Sequence, residues 1–549
     1  LIEITMRDFR RNGLALSDAD RAKLVEIRSQ IAKLQTEYSA NLDNDTSSIE
    51  ATAAELAGLP ASYLARLKKA PDGKYIVTTK YPDYYPLMEN ARAEELRKRE
   101  YLAFNSRQTE KNLPLLTQAV ALRADAAKLL GYANHADFVT ETRMAKNSAE
   151  VISFLKKLGT ELEPGAAALD KRMLALKRKE THDRHAVLQV WDWRYYMREI
   201  REQDFKLDDE AIRAYFPAPK VLAGMFQVYS TILGVSFDPV ANPNVWADGV
   251  RLYEVHDRTP GGGGKLLAKF YVDLFPRPGK YGHAASMPIG ISREVKSGYQ
   301  IPLSALVVNF NPPASGKPAH LSVDEVETLF HEFGHIMHMS LTTVPYNSLA
   351  GANVDVDFVE APSQMMENFV YQPEVLRLIT DDPAHPGQPM PASLMATIAK
   401  ARTWNAPVRY RRQDFLARFD MFIHTEGDHV DVDAADHRLR QEITGYPVDP
   451  SEHFAASFGH MMGGYDAGYY GYLWSKVFAD DIFTRFAAAG VLSPKVGHEY
   501  REDVLAPGRS VDPEVLLDRF LGRKPNDRAF LIQLGIDPEK AAKPEAAAR

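Results

Sequence analysis

The sequence predicts a mainly α fold with a small β-sheet beside one special helix, and three observations carry that prediction. Apolar residues recur at helical spacing through most of the 549 residues. Runs with β character are confined to Val250–Val255, Leu266–Leu274 and Leu303–Phe310. A Ser322/Glu325 pair in S-x-x-E spacing then opens a long amphipathic stretch about a dozen residues further on.

Taken in chain order, residues 16–45 open on Ser17 as a cap. They carry Leu24, Ile27, Ile31 and Leu34 on one helical face. Similar periodicity occupies about 90–180 and 390–425. The first two β runs flank Asp257–Lys265, which contains Gly261–Gly264. No Gly-Lys-Ser/Thr follows these glycines and no helix opens there, so a hairpin loop is expected and a phosphate loop is not. A small sheet next to that amphipathic stretch offers an edge to which an extended segment could add a strand.

The helix beginning at Ser322 contains His331-Glu332-Phe333-Gly334-His335. Residues i and i+4 lie about 40° apart around a helix, so the two imidazoles face the same way and can hold one metal ion. Val326, Leu329, Phe333, Ile336 and Met337 crowd the opposite side, which gives the helix a buried back and a polar front. A bare His-Glu-x-x-His string also arises by chance. The cap and the amphipathic back are what turn it into a site. With no cysteine in the chain, thiolate zinc sites are excluded.

Two histidines need a third, anionic ligand to leave an open zinc position, and Glu360 is the natural candidate. A metzincin would require Gly at 338 and His at 341; those positions hold His338 and Leu341. Three histidines of one straight helix cannot converge on one ion, so His338 is expected to support a ligand or line the cleft. Pro362 is tolerated in a first helical turn, which predicts a second helix starting near Glu360. Glu367 follows on the same face and is expected to orient a ligating histidine through its free ring N–H. Glu332, one helical step from the ligands, can reach a water at the metal and is the candidate general base.

Residues 459–474 (Gly-His-Met-Met-Gly-Gly-Tyr-Asp-Ala-Gly-Tyr-Tyr-Gly-Tyr-Leu-Trp) form a second cluster, dense in glycine and tyrosine. A protonated tyrosine hydroxyl can donate to the oxyanion that forms in amide hydrolysis, and glycines let a loop approach a ligand.

At this point the chain resembles the thimet oligopeptidase and neurolysin family of zinc oligopeptidases, which includes bacterial oligopeptidases and dipeptidyl carboxypeptidases. The resemblance runs through Arg-Arg-Asn-Gly-Leu at 10–14, Tyr-Pro-Asp-Tyr-Tyr-Pro-Leu at 81–87 and Trp-Asp-x-Arg-Tyr-Tyr at 191–196. It continues through the stretch at 273–284, the metal motif with Asp-Phe-Val-Glu-Ala-Pro-Ser-Gln-Met, and the Gly/Tyr loop.

It implies a two-lobed helical metallopeptidase with a deep channel that admits short peptides. His331, His335 and Glu360 would be ligands to one Zn2+ per chain, with Glu332 the general base. Tyr472 and Tyr465 would stabilise the oxyanion, while His460 and Tyr469 would bind substrate. The expected layout is an N-terminal helical lobe over 1–145, lacking its first segment relative to the family. The catalytic region would span 146–549, with the zinc site at 331–367 and the substrate loop at 459–474.

The implied activity is zinc-dependent hydrolysis of internal bonds in short peptides. The alternatives are a dipeptidyl carboxypeptidase of the same family and a non-catalytic peptide-binding protein. A formal net charge of −7 gives no nucleic-acid footprint, and no apolar run is long enough to span a bilayer. A cytoplasmic monomer is expected. Because the first residue is Leu1, a periplasmic or otherwise processed location is the alternative.

Overall fold

The computed structural model describes residues 2–277, 279–313 and 318–541. Most of the Ala/Lys/Glu-rich tail noted after Pro538, and Pro278 of the 273–284 stretch, lie outside the described residues. The chain forms two compact units. One takes Leu1–Lys206 and Asn405–Tyr470, the other Leu207–Trp404 and Gly471–Arg549. Position 145, the boundary expected from sequence, lies inside the first unit.

In the first unit, α1 (Asp18–Asp43) starts where the Ser17 side chain accepts a hydrogen bond from the Asp20 backbone N–H. Its Leu24 and Ile27 are buried with Ala126 of α2 (Thr109–Leu129). Between these helices lies a sheet not read from the sequence. It comprises β1 (Ser48–Ala51), β2 (Lys68–Lys69) and β3 (Tyr75–Thr78) in the order β1-β3-β2. Its strands have two to four residues, too short to produce a legible alternation. Asn134 and Asn147 cap α3 (His135–Thr140) and α4 (Ser148–Thr181) through their side-chain oxygens. Along α4 the buried residues Val151, Leu155, Leu158, Leu162, Ala166, Leu169 and Met173 fall every three or four positions, the stripe of a helix buried on one side.

Early in the second unit comes α5 (Ala218–Leu233). It ends on Gly234, whose φ of 64° only glycine adopts without strain, and the chain turns there into the main sheet. That sheet comprises β4 (Val235–Pro239), β5 (Arg251–Asp257), β6 (Leu266–Asp273), β7 (Ala285–Gly290) and β8 (Leu303–Val307), in the order β4-β5-β6-β8-β7. β5 and β6 are the expected antiparallel hairpin, and Gly261, Gly263 and Gly264 in its loop all have positive φ. β8 runs parallel to β6 and antiparallel to β7, which leaves β7 at one edge.

The helix α6 (Val323–Ser340) is anchored to this sheet by its apolar back. Phe333 meets Phe226, Phe237 and Phe270 at ring-centroid distances of 5.4, 5.3 and 5.2 Å. These rings, with Val326, Leu329, Ile336 and Met337, hold the helix in a fixed rotation about its axis.

α7 (Val356–Val370) follows and begins four residues before Glu360, earlier than expected. Pro362 therefore sits inside the helix and not in its first turn. Its missing N–H deletes a single backbone bond while the rest of the helix is held by burial on nearly all sides. The chain then returns to the first unit for α8 (Ala406–Glu426) and α9 (Val432–Thr444). It ends in the second with α10 (Gly471–Ala489) and shorter helices. Among the described residues no helix is long and apolar enough to cross a membrane.

Candidate metal centre

α6 starts on a complete capping box. The Ser322 hydroxyl accepts from the Glu325 N–H at 3.1 Å, and the Glu325 carboxylate accepts from the Ser322 N–H at 2.7 Å. Two turns on, His331 and His335 stand on the helix front. α7 crosses close by because position 334 is glycine; a Cβ there would lie 2.7 Å from the Ser363 Cα. This approach brings one oxygen, Glu360 Oε2, to 3.1 Å from His331 Nε2 and 3.0 Å from His335 Nε2. The donor atoms of His331, His335 and Glu360 all lie within 4.8 Å of one another.

Electrostatics tie the three together. Burial alone would push the His331 imidazole down, but the hydrogen-bonded carboxylates of Glu360 and Glu367 outweigh it and hold it well above its ordinary range. Burial likewise opposes ionisation of Glu360, and the two histidines overcome that, leaving its carboxyl well below the usual range. Glu367 Oε1 lies 2.8 Å from His331 Nδ1, so that ring is gripped on the side away from Glu360. Against burial, Lys476 and His331 draw the Glu367 carboxyl down to about 2.

Lys476 of α10, absent from the sequence reading, lies 3.3 Å from Glu367 Oε2 and 3.0 Å from Asp480 Oδ1. Its signal was its i+4 spacing from Tyr472, which places both on one face. Gln364 donates to the Tyr472 carbonyl at 3.0 Å, and Ser475 donates to the Asp357 carbonyl at 2.6 Å, so α7 and α10 are stitched along their length.

Glu332 is buried, and its Oε2 has no hydrogen-bond partner among the described residues. Its backbone carbonyl accepts from the Ser286 hydroxyl of edge strand β7 at 2.7 Å. His338 departs from expectation. It is fully buried, among the described residues neither ring nitrogen is hydrogen-bonded, and burial drives its pKa down to about 3. It neither supports a ligand nor lines an open cleft; it packs as a neutral ring, because α6 sinks into the protein in its last turns.

His331, Glu332, His335, Glu360, Glu367 and Tyr472 all belong to the second unit. His460, Tyr465 and Tyr469 belong to the first unit, where the His460 ring sits 5.6 Å from that of Tyr465 and 5.0 Å from that of Tyr469. The Tyr469 hydroxyl donates to Gln413 at 2.9 Å, and burial raises its pKa to about 12. The loop's shape is set by two acids, Asp420 buried and Asp466 half-buried, that the sequence did not single out. Asp420 of α8 accepts from the N–H groups of Ala467 and Tyr469 at 2.7 and 2.9 Å, while Asp466 lies 2.7 Å from His135 Nε2. Ala467 adopts φ 51°, a left-handed value for which these two bonds compensate.

Residues 87–536 match the family model described as Peptidase family M3. The chain belongs to that family. It is 34% identical to the thimet-like oligopeptidase of Dictyostelium discoideum, covering 97% of this chain and 81% of the relative. It is 33% identical to oligopeptidase A of Escherichia coli (97% and 81%) and 33% identical to saccharolysin of Saccharomyces cerevisiae (97% and 78%). In fold it is similar to the solved PZ peptidase A (TM-score 0.60, 15% identity, 93% of this chain and 76% of that one). A solved oligoendopeptidase F gives the same score over 95% and 77%. Membership of family M3 makes the protein a metallo-oligopeptidase, and the mainly α fold with a small sheet agrees with these neighbours.

Proposed function

We propose that the protein is a zinc-dependent endopeptidase acting on internal bonds of short peptides. The observation that carries the reading is the position of Glu360 Oε2, about 3 Å from both His331 Nε2 and His335 Nε2. Donors bound to one zinc at about 2.0–2.2 Å stand roughly 3 Å or slightly more apart, so this set fits the ion with a position to spare. The absence of thiolate and the pairing of two imidazoles with one carboxylate suit zinc as well. Bound there, one zinc ion would supply Lewis-acid chemistry, polarising a carbonyl and acidifying a water.

The rest of the reaction falls to the chain. Glu332, with an unpartnered buried oxygen, takes the proton of the attacking water and delivers it to the leaving amine. The Tyr472 hydroxyl donates to the oxyanion that forms as the carbonyl carbon becomes tetrahedral. Glu367 holds His331 in the tautomer with its proton on Nδ1, which leaves Nε2 free to ligate. Edge strand β7, tied to α6 through Ser286, is suited to pairing with an extended peptide. A role for Tyr465 at the oxyanion, and for His460 and Tyr469 in contacting substrate, rests on the family motif.

The test is digestion of peptides of graded length, beside denatured casein, with and without a chelator, the cuts being mapped by mass spectrometry. Internal cuts in short peptides, abolished by chelation and restored by zinc, are expected, with casein spared. Cuts confined to C-terminal dipeptides would replace the endopeptidase reading with a dipeptidyl carboxypeptidase. Binding without cleavage would leave a peptide-binding protein.

A further inference from the structure

We propose a second divalent-cation site in the first unit, formed by Asp433, His437 and His453. Asp433 and His437 are an i, i+4 pair on α9, so their side chains share a face. The start of that helix is fixed by Asp431, whose carboxylate accepts from the Ala434 N–H at 3.0 Å. His453 arrives from the segment after the helix, and its Nδ1 lies 2.9 Å from Asp433 Oδ2. One donor atom from each of the three lies within 4.8 Å of the others. The rings of His437 and His453 are 6.2 Å apart and inclined by only 27°.

Two features show more than a hydrogen-bonded pair. Among the described residues the other Asp433 oxygen, Oδ1, is buried without a partner, and no lysine or arginine pairs with this carboxylate. A buried carboxylate oxygen without a partner is costly, and a cation held by the same carboxylate would remove the cost. In addition, His437 Nε2 lies 2.5 Å from the Glu452 backbone carbonyl. A carbonyl only accepts, so the proton resides on Nε2 and the Nδ1 lone pair is left for a metal. This is the arrangement in which outer hydrogen bonds orient a ligating imidazole.

The cluster is also built in advance. Glu452, one residue before His453, is buried with its carboxylate bonded by Tyr101 at 2.6 Å and by Arg440. Arg440 in turn grips Asp436 at 2.7 Å, and the His453 N–H donates to Ser106 at 3.2 Å. The segment carrying His453 therefore cannot swing away. With side chains 23% and 30% exposed, Asp433 and His453 remain reachable by an ion from solvent.

Two imidazoles and a carboxylate select a borderline ion such as zinc, cobalt or nickel over magnesium or calcium. Glu452 adjoins His453 as Glu332 adjoins His331, but its carboxylate is held by Tyr101 and Arg440. The site accordingly acts as a clip joining α9 to the segment that follows it, not as a second catalytic centre.

The test uses the full chain, loaded with zinc at low micromolar concentration, desalted, and assayed for zinc by plasma mass spectrometry. Wild type is expected to hold two equivalents. His453→Ala and Asp433→Asn should each hold one while keeping peptide hydrolysis, and should show a smaller zinc-dependent rise in melting temperature than wild type. Glu360→Ala should also hold one, but without hydrolysis. Folding of each variant is checked by circular dichroism. A zinc content that His453→Ala and Asp433→Asn leave unchanged overturns the second site, whatever Glu360→Ala does. The outcome at Glu360 reports separately on the catalytic reading.

Discussion

Two clusters in this molecule use nearly the same donors. Each has an i, i+4 pair on one helix and a third ligand from a later segment, Glu360 25 residues after His335 and His453 20 residues after Asp433. They differ in what surrounds the donors. The side chains of His331, His335 and Glu360 are only 5% to 19% exposed; a second carboxylate, a lysine and a buried glutamate stand around them. Asp433, His437 and His453 are half-buried, and a backbone carbonyl plays the part that Glu367 plays at the first centre. Ligand type can make a metal site; a dry setting and an adjacent base make one that does chemistry.

If the base is the difference, Glu332→Gln should cut kcat/KM by about 10²–10⁴-fold with metal content unchanged, since a proton acceptor and not a ligand is removed. Peptide hydrolysis at the wild-type rate in that variant would break the comparison. The next largest effect is expected at Tyr472→Phe, a fall of ~10²–10³ in kcat with KM nearly constant, because the hydroxyl acts on the oxyanion and not on the bound substrate. Tyr470, fully buried, is the control. Equal loss from Tyr470→Phe would mean that packing, not a donor, is being measured.

Glu367→Gln sharpens the contrast between the carboxylate behind His331 and the carbonyl behind His437. Zinc affinity at the first centre should fall about 10–100-fold, as read by competition with a chelator.

Another histidine–carboxylate pair, His135 with Asp466, gives the smallest expected effect. Burial, only partly offset by Asp466, lowers the His135 pKa to about 4 from an unfolded value near 6.5. The unfolded chain therefore binds more protons between those values, and stability present above pH 6.5 is lost as pH falls towards 4. The loss amounts to about 3 kcal/mol. Asp466, held far below its ordinary range because Arg123 and His135 overcome its burial, adds a further loss below pH 4. Urea unfolding at pH 7 and pH 5 checks this. A denaturation midpoint that does not fall with pH would show that the pair does not anchor the loop.

Much of the catalytic centre was legible because it is local. A capping box, an apolar stripe and an i, i+4 histidine pair are properties of a single helix, and Glu360 and Glu367 share one face of the next. What could not be read depends on contacts distant in sequence. Lys476 reaches Glu367 across 109 residues, and Asp420 shapes a loop more than 40 residues away. The chain's departure from the first unit at residue 206 and return at 405 leaves no local mark. His338 illustrates the converse: its helical position suggested an open face, but how deeply α6 sinks is decided by the sheet and helices around it. For α7, a rule about proline placed the start four residues late, because burial on most sides outweighs one missing N–H.

The crossing of α6 and α7 has a consequence for how this centre tolerates change. At Gly334 the gap between the two backbones is narrower than a methyl group. The gauge that sets Glu360 against the two histidines is therefore an absence, the hydrogen where other residues carry a carbon. Adding that carbon would alter no ligand, charge or hydrogen-bonding group, yet it would act as a shim between the plates that hold the donors. The precision of the centre rests on a position with no side chain of its own.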